Sequence, residues 1–177
     1  MNATNIYRAW VLLPALLLGL ALSSSTGFCQ SKADWSLLSK FTVTFPEHAR
    51  DFLEFQKAFL RNDAEYAVTT SFADIASSYA ATSDFISEEV FIMLKLETET
   101  DKQIVRDLLQ RRIQTTIKDI NTTTTTLINL SLSSTKQPAI VAEGNKLKDD
   151  LREFRKALEA ISDKAAEGGT LSRQKNP

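Results

Sequence analysis

"AIVAEGNKLKDDLREFRKALEAISDKAA", residues 139–166, decides the fold. Ile140, Gly144, Leu147, Leu151, Phe154, Leu158, Ile161 and Ala165 follow one another at steps of 4, 3, 4, 3, 4, 3 and 4. Such alternation lays all eight on one stripe of a helix, a heptad seam held for more than three repeats. Glu143–Lys146, Asp149–Arg152 and Glu153–Lys156 set opposite charges three residues apart, each pair worth about 0.2–0.5 kcal/mol on a helix surface. Gly168-Gly169 is expected to stop this helix, leaving residues 168–177 as a flexible tail.

Upstream, "STKQP" at 134–138 separates the seam from a third helix, because the residue before Pro138 is pushed away from helical geometry. That helix is expected from about Asp101, with Val105, Leu109, Ile113, Ile117, Ile120, Thr124 and Leu127 on one stripe. It must cross "NTTTTT", residues 121–126. Five interior threonines forfeit about 3 kcal/mol of helix propensity against alanine, and "LINLSLSS" alternates as a strand would. The stripe entering from Ile113 favours a helix with a frail end. A second helix is expected over about Asp63–Leu96, carrying Ala67, Ser71, Ile75, Tyr79, Thr82, Ile86, Val90 and Met93, with a break at 82–84.

Pro46 suits a first helical turn, where a missing N–H costs nothing. The first helix is therefore expected to begin there and to run to Asn62, with Ala49, Phe52, Leu53, Phe55, Phe59 and Leu60 on one broad face. "FTVTF", residues 41–45, falls in an irregular lead-in over 30–45, where it alternates like a short strand. "NDAE" at 62–65 resembles a capping box opening the next helix. Short polar connections between long amphipathic helices favour antiparallel neighbours. The fold expected over 46–167 is thus all-α: an up-and-down bundle of about four helices, or an elongated coiled-coil-like hairpin.

Composition agrees. Among 177 residues only 5 are glycine and 4 proline, too few for a turn-rich β fold, and 43 % hydrophobic residues suit a packed core. The N-terminus reads separately. Arg8 precedes the apolar run Trp10–Leu22, which the small residues "SSSTG" follow, the order of a secretory signal peptide over residues 1–29. The run is shorter than the roughly 20 residues that span a bilayer. Cleavage is expected after Gly27 or Cys29, giving an exported protein, periplasmic or secreted, with no stable membrane span. A lipoprotein built on Cys29 is disfavoured by Phe28, where a small residue normally stands. Loss of the segment removes one base and no acid, moving the net charge from −1 to −2, which gives nucleic acid no electrostatic footing.

One histidine and one cysteine exclude paired-histidine zinc sites, di-iron Glu-x-x-His pairs and C-x-x-C-H haem attachment. Neither a P-loop nor a G-x-S-x-G or G-x-G-x-x-G occurs. His48 pairs in principle with Met93 around a haem, yet beside Glu47 and Arg50 it reads as part of a solvated helix start. Glu88, Glu89, Glu97, Glu99 and Asp101 lack the spacing of a calcium loop and read as a solvated face and an acidic turn.

Phe52, Phe55 and Phe59 are the candidate partner or ligand surface, set against their use as core. Asn121 and Asn129 carry the N-x-S/T pattern, meaningful only if the source glycosylates. No catalytic residue, cofactor or metal is expected. The function expected is that of an exported, non-enzymatic bundle binding a protein partner or itself, with a carrier of an apolar or haem-like ligand as the alternative.

Overall fold

The computed structural model describes residues 38–173, and side chains as far as Ser162. The signal peptide expected over residues 1–29, with Cys29, the first part of the expected lead-in and the last four residues, lies outside the described residues. The described elements are all helical: α1 (Phe41–Gln56), α2 (Ala64–Lys95), α3 (Glu99–Thr122), a π-helical turn (Thr123–Leu127), α4 (Ile128–Ser133) and α5 (Pro138–Arg173). From α3 through α4 the chain stays in right-handed helical geometry, so these three pieces form one rod.

The seam of α5 is the floor of the core. Leu147, Leu151, Phe154 and Leu158 are fully buried, with Ile140 and Ile161 nearly so. Gly144 packs close beneath side chains of α2 and α4: a Cβ there would stand 2.8 Å from Phe72 Cζ and 2.9 Å from Leu132 Cδ2. No substituent fits without displacing a ring. The expected stop at Gly168-Gly169 is not taken, and the helix runs on to Arg173. Both glycines can stay helical at about 1 kcal/mol each, and no glycine among the described residues takes the positive φ of a helix-ending cap.

α1 corrects the expectation most. It begins at Phe41, so "FTVTF" is helix rather than strand or irregular lead-in, and Pro46 sits inside the helix. A proline there removes one backbone bond at about 3 kcal/mol. Burial of Phe41 and Phe45 outweighs this, at about 1.5–3 kcal/mol for each ring. Phe41 lies 4.9 Å and Phe45 5.4 Å from the Phe154 ring, centre to centre. At its other end α1 stops at Gln56 instead of Asn62, tightening through three-residue bonds from Ala58 to Phe55 and from Phe59 to Gln56. Phe59 and Leu60 therefore leave the helical face, and Leu60 is largely exposed.

α2 is unbroken across 82–84; Thr82 and Ser83 turn their hydroxyls back to the carbonyls of Ser78 and Ala80. It buries two flanks rather than one. Ile75, Tyr79, Ile86 and Val90 are inside as expected, and so are Val68, Phe72, Ala73 and Ala76. Phe72 stacks on Phe52 at 4.8 Å. Thr98 caps α3 by accepting from the Asp101 N–H, which places Glu99 and Asp101 in a first turn where negative charge is favourable.

The threonine run is helical, with a change of pitch. Thr124 and Thr125 donate to the carbonyls of Ile120 and Asn121, a back-bonding habit that bends helices. The π turn accommodates one extra residue. The inward stripe accordingly passes from Ile120 and Thr124 to Ile128, which is fully buried, while Leu127 is exposed. An uninterrupted α-helix would have faced Leu127 inward.

Candidate functional site

His48 is the centre of the site. Because α1 starts at Phe41, His48 lies in its third turn and shares the buried stripe Phe41, Phe45, Ala49 and Phe52. The expectation of a solvated helix start is overturned: the residue is 6 % exposed. Its Nδ1 stands 2.6 Å from Glu143 Oε1, and its Nε2 stands 2.8 Å from Asp150 Oδ2. Glu143 and Asp150 are two turns apart on α5, hence on one face, and each immediately precedes a seam residue, Gly144 or Leu151.

Glu143 is itself buried and accepts a second bond from Lys146 Nζ at 2.9 Å. Burial opposes ionisation of its carboxyl, but the hydrogen bonds and charges of Lys146 and His48 together outweigh burial and hold it below the usual glutamate range. Glu143 is therefore a carboxylate, and Nδ1 must donate to it. Asp150 is more open, its side chain 30 % exposed. A carboxylate there can only accept, so Nε2 must donate as well. Both contacts are satisfied together only by the imidazolium.

The chemistry this supports is cohesion between α1 and α5. Three charged side chains and a ring are arranged so that charges alternate and each buried oxygen or nitrogen has a partner. Among the described residues no cluster of three or more histidine, cysteine, aspartate or glutamate side chains could hold a metal ion. His48 and Met93 do not form a pair around a common centre, since both ring nitrogens are taken by carboxylates.

The aromatic candidates separate. Phe52 is fully buried against Phe72, so it is core rather than surface. The reason is its place four and three residues beyond His48 and Ala49 on the inward stripe. Phe55 meets Phe52 edge-on at 6.3 Å and is half-buried, and Phe59 is half-buried beyond the end of α1. Asn121 and Asn129 are exposed, but both lie within helix and both are engaged. Arg155 donates to Asn121, while Lys148 donates to Asn129.

Open grooves line the surface of the described residues. One of about 490 Å³ runs between Pro46, Ala49, Arg50 and Leu53 of α1 and Ser77 and Ala80 of α2. A second, about 360 Å³, borders Tyr79, Thr116, Thr123 and Leu127. Tyr79 bonds to Thr123 there at 3.0 Å; burial pushes the phenol above its usual value, and that bond only partly offsets it. A third, about 530 Å³, lies between Ser39 and Thr42 and the α2 residues Asp84, Ser87, Phe91 and Ile92.

Sequence reasoning also missed an apolar face on α2 and α3. Phe85, Ile92, Ile104 and Leu108 are 49–56 % exposed. Arg112 joins the two helices across it, bonding to Glu89 at 2.8 Å and lying 5.6 Å from the Phe85 ring centre. The signal was legible in part, since Ile104 and Leu108 sit four apart, just off the Val105–Leu109 stripe. No described helix is long and apolar enough to cross a membrane. Neither a family model, nor a curated protein, nor a solved structure matches the chain.

Proposed function

We propose that this chain is exported with loss of its first 27–29 residues and acts as a non-enzymatic, antiparallel up-and-down helical bundle that associates with a second copy of itself. The observation that carries the reading is the exposed face of Phe85, Ile92, Ile104 and Leu108 around the Arg112–Glu89 pair. Apolar side chains grouped on a surface and rimmed by charge are the usual mark of a protein interface. Arg112 and Glu89 bring both signs of charge to that face. A twofold interface sets each residue of the patch against its symmetry partner's, so a rim of mixed sign can pair with itself.

Cross-helix partners support the antiparallel order. Lys40, just before α1, and His48 within it meet Glu153 and Glu143 on α5, so one chain position climbs as the other falls. Gln114, Asn121 and Asn129 likewise meet Ser162, Arg155 and Lys148. The apolar run Trp10–Leu22 supports export.

Sedimentation velocity across a concentration series tests the association. The wild-type protein is expected to shift from monomer to dimer, and Leu108→Glu to remain monomeric throughout. Leu108 is exposed, so the substitution should leave stability within about 0.5 kcal/mol. A wild-type protein that stays monomeric at every concentration, or a Leu108→Glu variant that dimerises equally, would remove the basis for self-association.

A further inference from the structure

We infer that His48 is a proton-operated lock between α1 and α5, closed when the ring carries two protons and opened at its Asp150 arm when it carries one. The inference starts from a count of donors. The ring faces a carboxylate oxygen at each nitrogen, 2.6 Å from Glu143 and 2.8 Å from Asp150. A neutral imidazole has one N–H and one bare nitrogen, so it can satisfy only one of them.

Which arm is lost follows from the surroundings. Glu143 is buried and supported by Lys146, so a bond withdrawn from it would leave a buried charge short of a partner. The remaining ring proton therefore stays on Nδ1. The proton leaves from Nε2, beside the more exposed Asp150, through which solvent can take it. A bare nitrogen then faces a carboxylate across what was a charge-assisted bond, and the two repel.

The charges facing the ring balance only in the closed form. From α5 they are Glu143, Asp150 and, behind Glu143, Lys146. From α1 itself, Asp51 acts electrostatically on Lys146 and pairs loosely with Arg50 at 3.8 Å; Glu47 precedes the ring in sequence. Among the described residues α2 and α3 place no charged group in hydrogen-bond or ion-pair contact with His48. Ring, lysine and two carboxylates sum to zero when the ring is charged and to one negative charge when it is not.

Opening is local. Phe52 stays stacked on Phe72 of α2, whereas the α1–α5 seam around Phe41, Phe45 and Phe154 loses its polar clasp. Loss of the second ring proton removes that clasp, so the seam loosens as protons become scarcer in the medium.

Amide hydrogen exchange on the complete exported chain tests this, with protection factors corrected for intrinsic rate, between about pH 5.5 and 8.5. Protection in α1 and around residues 143–154 is expected to fall at least tenfold across that range, with α3 unchanged. Asp150→Asn is expected to abolish the fall, because its amide oxygen accepts from the charged ring and its NH2 donates to the neutral one. His48→Gln, which has no titrating proton, should also be flat. Unchanged wild-type protection, or an equal fall in either variant, would overturn the lock.

Discussion

Replacing Phe154 with alanine is expected to lower the unfolding free energy by about 3–5 kcal/mol, near the upper end for a single core truncation. Phe154 is fully buried and is the ring on which Phe41 and Phe45 both rest, at 4.9 and 5.4 Å. Its loss removes one aromatic from the floor and leaves two from α1 facing a void. Small domains have only about 5–15 kcal/mol in total, so the variant should melt far below the wild type. Urea denaturation followed by circular dichroism measures this directly. A change below about 1 kcal/mol would mean that α1 and α5 do not share a core.

The second large effect is expected at His48. His48→Ala strips a buried carboxylate of one partner and Asp150 of its bond, and breaking a buried pair in this way costs about 3–5 kcal/mol. Lys146, 2.9 Å from the other Glu143 oxygen, should hold the loss toward the lower end. Replacing His48 and Glu143 together by leucine removes both charges at once. That double variant should be close to wild type or more stable, since apolar pairs often replace buried ion pairs without loss. If the double variant is as unstable as His48→Ala, packing rather than unpaired charge governs the site. The acid side follows from Glu143. Its carboxyl titrates below the usual range in the folded chain, so the unfolded chain binds the proton first. The stability it contributes is full above the ordinary glutamate value and is lost as pH falls through the depressed one.

Most of the helical architecture was legible because a heptad seam is a long-range pattern that local accidents do not hide. Ile140 to Ile161 recur as expected and all are buried. The site was not legible, and the cause is a single boundary. Pro46 is most at home at a helix start, and reading it so turned His48 into a first-turn residue. Packing of Phe41 and Phe45 carries the helix upstream through the proline, which rotates nothing but changes what His48 is: an interior position on the stripe. The acids it meets were visible, Glu143 and Asp150 each preceding a seam residue in the positions that flank coiled-coil seams with charge. What was missing was the element that faces them. At Leu127 the difficulty is different, since a π turn inserts one residue into the period and no propensity announces it. Phe52 continues the very stripe that buries His48 and Ala49, so spacing alone marks it as core rather than surface.

The state of the His48 ring is the most direct test of the account. It is the chain's only histidine, so long-range proton–nitrogen correlation spectra of uniformly labelled protein contain one imidazole and need no assignment. In the folded protein at mildly acidic pH, both ring nitrogens are predicted to show the shifts of protonated nitrogen, each with an N–H resonance slow to exchange. A neutral ring with one bare nitrogen, observed while the chain is folded under the same conditions, would contradict the clasp between α1 and α5.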